Sequence, residues 1–173
     1  MNTLEWFKNE AKKLSKTDYT VLEIGTRRWV ESKPTHHKIW FPDATYRMTD
    51  IQDGLDVDIV SDIHCLSKTF NEESFDIIVA CSVFEHLQYP HKAAEEILKV
   101  LKKGGLFFVQ THQTFQVHGY PSDYFRYTTE GLKVLFEKAS EVQANYEFPC
   151  EITTVQFAPM KRCFLNSNIA GRK

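Results

Sequence analysis

The segment Phe75–Cys81, FDIIVAC, restricts the possible folds of this chain more than any other feature. It is a continuous apolar run of strand length, typical of a strand that is buried on both faces in a parallel sheet. A second run, Leu106–Thr111 (LFFVQT), follows a helical pattern that begins at Pro90 and is expected to end at Gly104-Gly105. This order predicts two parallel strands joined by a right-handed helical crossover.

Shorter patterns on both sides extend this unit. Amphipathic spacing over Leu4–Leu14 predicts an N-terminal helix, and residues 128–130 (TTE) are typical of the start of another. The other strand-like segments are Thr20–Ile24, Thr45–Asp50, Val57–Asp62 and a terminal pair over Val142–Phe148 and Ile152–Phe157, joined near Pro149. We therefore expect an α/β doubly wound fold with a mostly parallel sheet and an antiparallel terminal strand pair. Only about six residues separate Asp50 from Val57, so the helix between the second and third strands is expected to be missing.

Length and composition limit the functional classes. The 173 residues predict one domain, with an N-terminal helix over residues 1–18, a core over 19–160 and a tail over 161–173. A net charge of −2 gives no basic face, so neither nucleic acid nor a membrane surface is an expected partner. The four cysteines are widely spaced and include no C-x-x-C pair. Reduced thiols and the lack of a signal-like or membrane-spanning run favour a soluble, cytoplasmic protein.

Polar residues follow the predicted strands at their carboxyl ends, where open α/β sheets bind ligands. An acidic side chain after the second strand, Asp50, is suited to accept hydrogen bonds from the two hydroxyls of a ribose. Asp62 could similarly accept from an exocyclic amine, although either aspartate alone could be a turn former. The strand ends are Glu23-Ile24-Gly25-Thr26, Asp50, Asp62, Cys81-Ser82 and Thr111-His112.

The order of these segments resembles the class I S-adenosylmethionine-dependent methyltransferases from about Thr20 to Leu135. VLEIGTRRW resembles the first motif of that family, TDI its ribose-binding strand end and VSDIH its adenine-contacting segment. The most specific signal is FDIIVACSVFEHLQYP followed by EEILKVLKKGGLFF, which resemble the fourth strand, the E-H-L turn and the helix ending in L-K-x-G-G. HGYPSDYFRYTTEGL is similar to small methyltransferases linked to surface glycans or secondary metabolites.

The resemblance implies a Rossmann-like fold, S-adenosylmethionine as cofactor and a small-molecule or glycan-linked acceptor, with a homodimer left open. Arg27 or Arg28 could hold the cofactor carboxylate or an anionic substrate by charge-assisted hydrogen bonds, or remain solvated. The resemblance assigns Glu23, Gly25 and Thr26 to the amino acid part of the cofactor, Asp50 and Ile51 to the ribose, Asp62 and Ile63 to the adenine, and Ser82 and Phe84 to the closure of the pocket.

Methyl transfer is an in-line displacement, so few catalytic side chains are obligatory. If the acceptor is a hydroxyl, a general base helps, and histidine is suited to that role near neutral pH. His118 is the main candidate, because it lies after the fifth strand, where the acceptor would enter in the family layout. Glu85 and His86 are further catalytic candidates, although Glu85 also suits a helix N-terminus and His86 could cap or pack. His112 could be a core histidine or a base.

Two other functions stay open on the sequence. The first motif keeps one glycine, Gly25, where the family has a glycine-rich loop, which permits a catalytically silent subunit that binds a partner protein. Asp50 follows Gly25 by 25 residues, which permits an NAD-dependent oxidoreductase, although the glycines needed for pyrophosphate approach are missing. His36-His37 have no second ligand set at metal spacing, so the sequence predicts no metal site.

Overall fold

The described residues of this computed structural model, 1–14, 18–30, 33–119, 122–147 and 165–173, contain a seven-stranded sheet. The strands are β1 (Thr20–Ile24), β2 (Thr45–Asp50), β3 (Ile59–Val60), β4 (Phe75–Cys81), β5 (Leu101–Thr114), β6 (Ser140–Glu147) and β7 (Leu165–Arg172). Their order across the sheet is β3-β2-β1-β4-β5-β7-β6. Strands β1 to β5 are parallel, and β7 is antiparallel to both of its neighbours.

Three α-helices cover the two faces of the sheet: α1 (Thr3–Leu14), α2 (Pro90–Val100) and α3 (Thr129–Leu135). Pro90 occupies the first turn of α2, where its missing N–H costs no hydrogen bond. Thr128 caps α3, since its Oγ1 accepts a hydrogen bond from the Gly131 amide at 3.0 Å. None of the helices that the structure describes has the length and hydropathy needed to cross a bilayer.

The core has two layers because successive side chains of a strand point to opposite faces. On β5, Phe107 packs on the side of α2 and α3, whereas Phe108 packs on the side of α1, against Phe7. Strand β4 is buried along nearly its whole length. The prediction that FDIIVAC is a parallel strand buried on both faces is therefore confirmed.

Much of the expected architecture is confirmed. Strands β1, β2 and β4 have the predicted bounds, and the sheet is mostly parallel with an antiparallel terminal part. Strands β2 and β3 are parallel neighbours, and the residues between them, 51–58, form bends and turns without a helix. The missing crossover helix is confirmed as well.

Two element boundaries were predicted wrongly. Helix α2 ends at Val100, and β5 begins at Leu101, so the glycine pair lies inside the strand region rather than after the helix. The third strand is Ile59–Val60 instead of six residues, because aspartates at its ends bond to other parts of the backbone. Asp58 Oδ2 accepts from the Met48 amide at 2.9 Å, and Asp62 caps the following 3₁₀ turn.

The predicted tail over residues 161–173 also differs from the structure, because Leu165–Arg172 form β7 between β5 and β6. This strand is not evident from the sequence, because its polar residues interrupt the apolar pattern typical of a buried strand. Ser167 and Asn168 are buried, and their side chains donate to the Tyr127 carbonyl at 2.6 Å and to Glu147 Oε2 at 2.8 Å. The strand predicted at Ile152–Phe157 lies outside the described residues.

We expect Phe107→Ala to lower the free energy of unfolding by about 3–5 kcal/mol, because it removes a large side chain from a packed core. Phe107 is fully buried and stacks on Phe136 with ring centroids 4.3 Å apart. Urea unfolding followed by far-ultraviolet circular dichroism measures the change. The control Ile39→Ala, at a side chain that is 87% exposed, should change it by less than about 0.5 kcal/mol. Equal effects of both substitutions would contradict this account of the core.

Candidate functional site

A cleft lies at the carboxyl ends of β1, β2 and β4 and has an empty volume of about 810 Å³, including its open mouth. Strand β1 has β2 on one side and β4 on the other, so the strand order reverses here, which is where open α/β sheets bind ligands. Seven of the ten residues predicted to bind the cofactor line it: Gly25, Arg27, Asp50, Ile51, Asp62, Ile63 and Ser82.

Gly25 shapes the floor of the cleft. Its φ of +81° is unfavourable for a side chain, and a Cβ at this position would lie 2.3 Å from Val83 Cγ2. The Gly25 amide donates to the Thr49 carbonyl at 2.8 Å, which ties the turn to the end of β2. One glycine is therefore sufficient for the tight turn and for the close packing of β1 against the segment after β4.

Both aspartates at the strand ends shape local turns and also line the cleft. Asp50 accepts hydrogen bonds from the amides of Arg27 at 3.2 Å and Gln52 at 3.0 Å. Asp62 Oδ1 accepts from the His64 amide at 2.8 Å and lies 2.7 Å from His64 Nδ1. A carboxylate offers about four acceptor positions, so these bonds leave each aspartate able to accept from a ligand.

The two arginines after Gly25 have different positions. Arg27 lines the cleft, donates to Gln52 Oε1 at 2.6 Å and stacks on Trp29, with 4.8 Å between guanidinium carbon and ring centre. Arg28 forms a bidentate pair with Asp56, at 2.6 Å from Nε and 2.8 Å from Nη2. The guanidinium of Arg27, rather than that of Arg28, is thus placed to meet an anionic group.

Three residues predicted for the cofactor do not line the cleft and instead pack behind its walls. Glu23 is buried, with Oε2 accepting from the His37 amide at 2.8 Å and from the Tyr46 hydroxyl. Burial, together with the Glu23 carboxylate, raises the pKa of Tyr46 well above its ordinary value. Thr26 Oγ1 donates to the Asp56 carbonyl at 2.6 Å, and Phe84 is fully buried in the core.

Residues that sequence reasoning missed also line the cleft. They are Trp29, Ser61, Gln52, His64, Val83 and Leu87. Each of the last four directly follows a predicted site residue. Their positions next to these residues in the sequence could therefore have indicated them.

The three predicted catalytic residues lie together beside the cleft. His86 lines it, and the His86 ring lies 4.9 Å from the ring of His118. His86 Nδ1 is 2.7 Å from the Ser122 carbonyl, which fixes the orientation of the imidazole. Gly119 has a φ of +98°, and a Cβ there would lie 2.5 Å from His86 Cε1, so the loop lies directly over this ring.

Glu85 is fully buried, with Oε2 accepting from Thr111 Oγ1 at 2.7 Å and Oε1 lying 3.1 Å from His112 Nε2. Burial lowers the pKa of His112, and the Glu85 carboxylate opposes this effect.

An ion pair holds the loop that carries His118. Arg126 Nη2 donates to Asp123 Oδ2 at 2.7 Å, and the same carboxylate oxygen accepts from the His118 amide at 2.9 Å. The Arg126 hydrogen bond holds the pKa of Asp123 far below its ordinary value. Two rings of this loop, Tyr124 and Phe125, are 47% and 41% exposed and can contact an incoming molecule.

Residues 37–109 match the family model described as a methyltransferase domain. No curated protein matches the chain by sequence. A methyltransferase from Archaeoglobus fulgidus that depends on S-adenosylmethionine is similar in structure, with a TM-score of 0.66, 15% identity and coverage of 98% of this chain and 94% of that one.

Two further solved structures are similar over most of this chain. An N-methyltransferase from Haemonchus contortus, solved with phosphomonomethylethanolamine and S-adenosylhomocysteine, has a TM-score of 0.62 and 14% identity over 98% of this chain and 52% of that one. The [4+2]-cyclase SpnF has a TM-score of 0.61 and 15% identity over 98% of this chain and 80% of that one.

We expect Asp56→Asn to destabilise the protein at pH 7 and to have less effect in acid. The hydrogen bond from Arg28 lowers the pKa of Asp56 from its ordinary 3.8. A lowered carboxyl pKa stabilises the fold above the unfolded-state value, and the contribution disappears as pH falls through the folded-state value. Urea unfolding of both proteins at a series of pH values measures the difference. Asp53→Asn, at an exposed carboxylate of the same loop, is the control, and a difference that does not shrink in acid would contradict the prediction.

Proposed function

We propose that this chain is a class I S-adenosylmethionine-dependent methyltransferase whose cleft holds the cofactor through the residues at the ends of β1, β2 and β3. The methyl group would then pass to a hydroxyl of a small molecule or glycan that enters beside His86 and His118. The observation that carries this proposal is the Asp50 carboxylate, which lines the cleft at the end of β2, between the turn at Gly25 and Asp62.

The residues of the cleft fit this cofactor. S-adenosylmethionine has no phosphate, so a loop with the single glycine Gly25 can still accept it. The cofactor supplies a methyl group on a positively charged sulfur.

Different residues of the cleft are suited to different parts of the cofactor. The Asp50 carboxylate is suited to accept from the ribose hydroxyls, and Asp62 from the adenine amine. The Arg27 guanidinium is suited to hold the carboxylate of the cofactor by charge-assisted hydrogen bonds. Glu23 and Thr26 would act indirectly, by fixing the backbone behind the cleft.

The acceptor would contact the loop after β5. His86 and His118 offer imidazoles, which can take a proton from a hydroxyl near neutral pH, and Glu85 is buried beside them. The exposed rings of Tyr124 and Phe125 are suited to stack on a sugar or a phenol. This composition supports a ring-shaped hydroxyl acceptor. A catalytically silent subunit that binds a partner protein is the second candidate, because the first motif keeps the single glycine Gly25.

We expect S-adenosylmethionine and S-adenosylhomocysteine to raise the melting temperature, whereas NAD should not. A ligand at about 100 times its Kd adds about 2.7 kcal/mol, or roughly 5–10 °C in a domain of this size. Differential scanning fluorimetry measures the shift. Asp50→Ala should abolish it, and Asp53→Ala, at an exposed neighbour, should preserve it.

The melting temperature of each variant without ligand separates lost binding from lost folding. A full shift with Asp50→Ala would remove Asp50 from the ribose role. No shift of the unsubstituted protein with either sulfur compound would contradict cofactor binding in this cleft, and a shift with NAD alone would favour an oxidoreductase.

We also expect phenolic or sugar hydroxyl acceptors to support formation of S-adenosylhomocysteine, and His118→Ala to lower this turnover more than the turnover of matched amines. The imidazoles beside the cleft can remove the hydroxyl proton, whereas a neutral amine is nucleophilic without that step. Mass spectrometry of reactions with paired hydroxyl and amine compounds provides the measurement. Turnover confined to the amines would contradict hydroxyl methylation.

A further inference from the structure

We propose that Glu85, His112 and His118 form a binding site for a divalent transition-metal cation of the Zn²⁺ type. One ligand atom from each residue lies within 4.8 Å of the ligand atoms of the other two. The proposal goes beyond methyl transfer and does not depend on it, since a cation bound to His118 leaves the neighbouring imidazole of His86 to take a proton from the acceptor. It also differs from the sequence prediction of no metal site, because Glu85 precedes His112 by 27 residues and only the fold brings it to the two histidines.

Three separate elements supply the ligands. Glu85 lies in the 3₁₀ turn Phe84–His86 that follows β4, His112 is on β5, and His118 is on the loop after β5. Zinc bonds to nitrogen and oxygen are about 2.0–2.2 Å long, so tetrahedral ligand atoms lie roughly 3.3–3.5 Å apart. Glu85 Oε1 and His112 Nε2, at 3.1 Å, already approach this separation. A small inward movement of His118 would complete the set.

The buried carboxylate of Glu85 supplies an independent observation. Its Oε2 accepts from Thr111, but Oε1 has no hydrogen-bond partner among the described residues, even though His112 Nε2 is 3.1 Å away. Glu85 is fully buried, and a buried carboxylate oxygen without a partner is unfavourable. A cation between these two atoms would satisfy the oxygen.

The other ring nitrogen of each histidine is already engaged, as is usual for histidines that bind metals. His112 Nδ1 is 3.0 Å from Asn166 Oδ1. His118 Nδ1 is 3.2 Å from the Gln116 carbonyl and 3.2 Å from Asp123 Oδ2. A nitrogen that donates to these oxygens carries the ring proton, so Nε2 keeps the lone pair. In His112 that lone pair then faces Glu85 Oε1, an arrangement that a cation stabilises.

The donor set determines the class of cation. Two imidazoles and one carboxylate suit zinc, iron and related transition metals better than magnesium or calcium, which favour oxygen ligands. The guanidinium of Arg126, which acts on His112 electrostatically, is paired with Asp123, so its charge is largely balanced. His118 keeps about a quarter of its side chain exposed, so the site is accessible from solvent.

The test uses the full chain without a histidine tag, stripped with a chelator and titrated with CoCl₂ while visible absorption is recorded. We expect one equivalent of Co²⁺ to bind with a spectrum typical of nitrogen and oxygen ligands, and ZnCl₂ to displace it. His118→Ala removes a ligand and should weaken binding by more than about tenfold. Asn166→Ala removes the oxygen that orients His112 and should weaken binding by about 10–100-fold.

The matched control is His91→Ala, at an exposed histidine of α2, which should bind as the unsubstituted protein does. Circular dichroism checks that each variant is folded, and His118 is the least buried of the three ligands. Equal binding by His118→Ala and the unsubstituted protein would overturn the proposal.

A cobalt–thiolate charge-transfer band would also overturn it, since it would assign the ion to cysteines such as the free thiols Cys65 and Cys81. A titration without any binding would overturn it as well. Cofactor binding is measured separately by the melting shift, so failure of one proposal is distinct from failure of the other.

Discussion

The close packing of the turn at Gly25 against Val83 is the contact on which the cleft depends. It requires a residue without Cβ and with positive φ at the end of β1, and it joins β1 to the segment after β4. Because the Gly25 amide also donates to the Thr49 carbonyl, the turn ties the end of β2, which carries Asp50, to the segment after β4, which carries Ser82. The cleft therefore keeps its shape only while this turn is intact.

Much of the fold could be predicted because its signals are local. An apolar run is enough to predict a strand such as Phe75–Cys81. The absence of a helix after Asp50 follows from the short segment that joins the second and third strands. The residues of the cleft could be predicted from the sequence for a related reason. They stand at strand ends, and parallel strands bring these ends to one edge of the sheet, so the sequence alone was enough to group Gly25, Asp50 and Asp62.

The remaining features depend on contacts between distant parts of the chain. Strand β7 was missed because Ser167 and Asn168 are polar yet buried, and their hydrogen bonds form only after folding. The approach of His112 to Glu85 could not be predicted either, because the two residues are not separated by a spacing typical of metal ligands. The start of β5 at Leu101 was not predicted, because Gly104 and Gly105 suggested the end of a helix. In the structure they belong to an irregular part of the strand.

The position of β7 also affects how the sheet can form. This strand comes last in the described chain but lies between β5 and β6, which do not pair with each other. Any nascent polypeptide that has not yet reached residue 165 therefore lacks the strand that pairs with β5, and the unpaired edge includes the apolar residues Leu106, Phe107, Phe108 and Val109. Such an edge is a template for association with other chains, so the interval before β7 is inserted is when the risk of aggregation during biosynthesis is greatest.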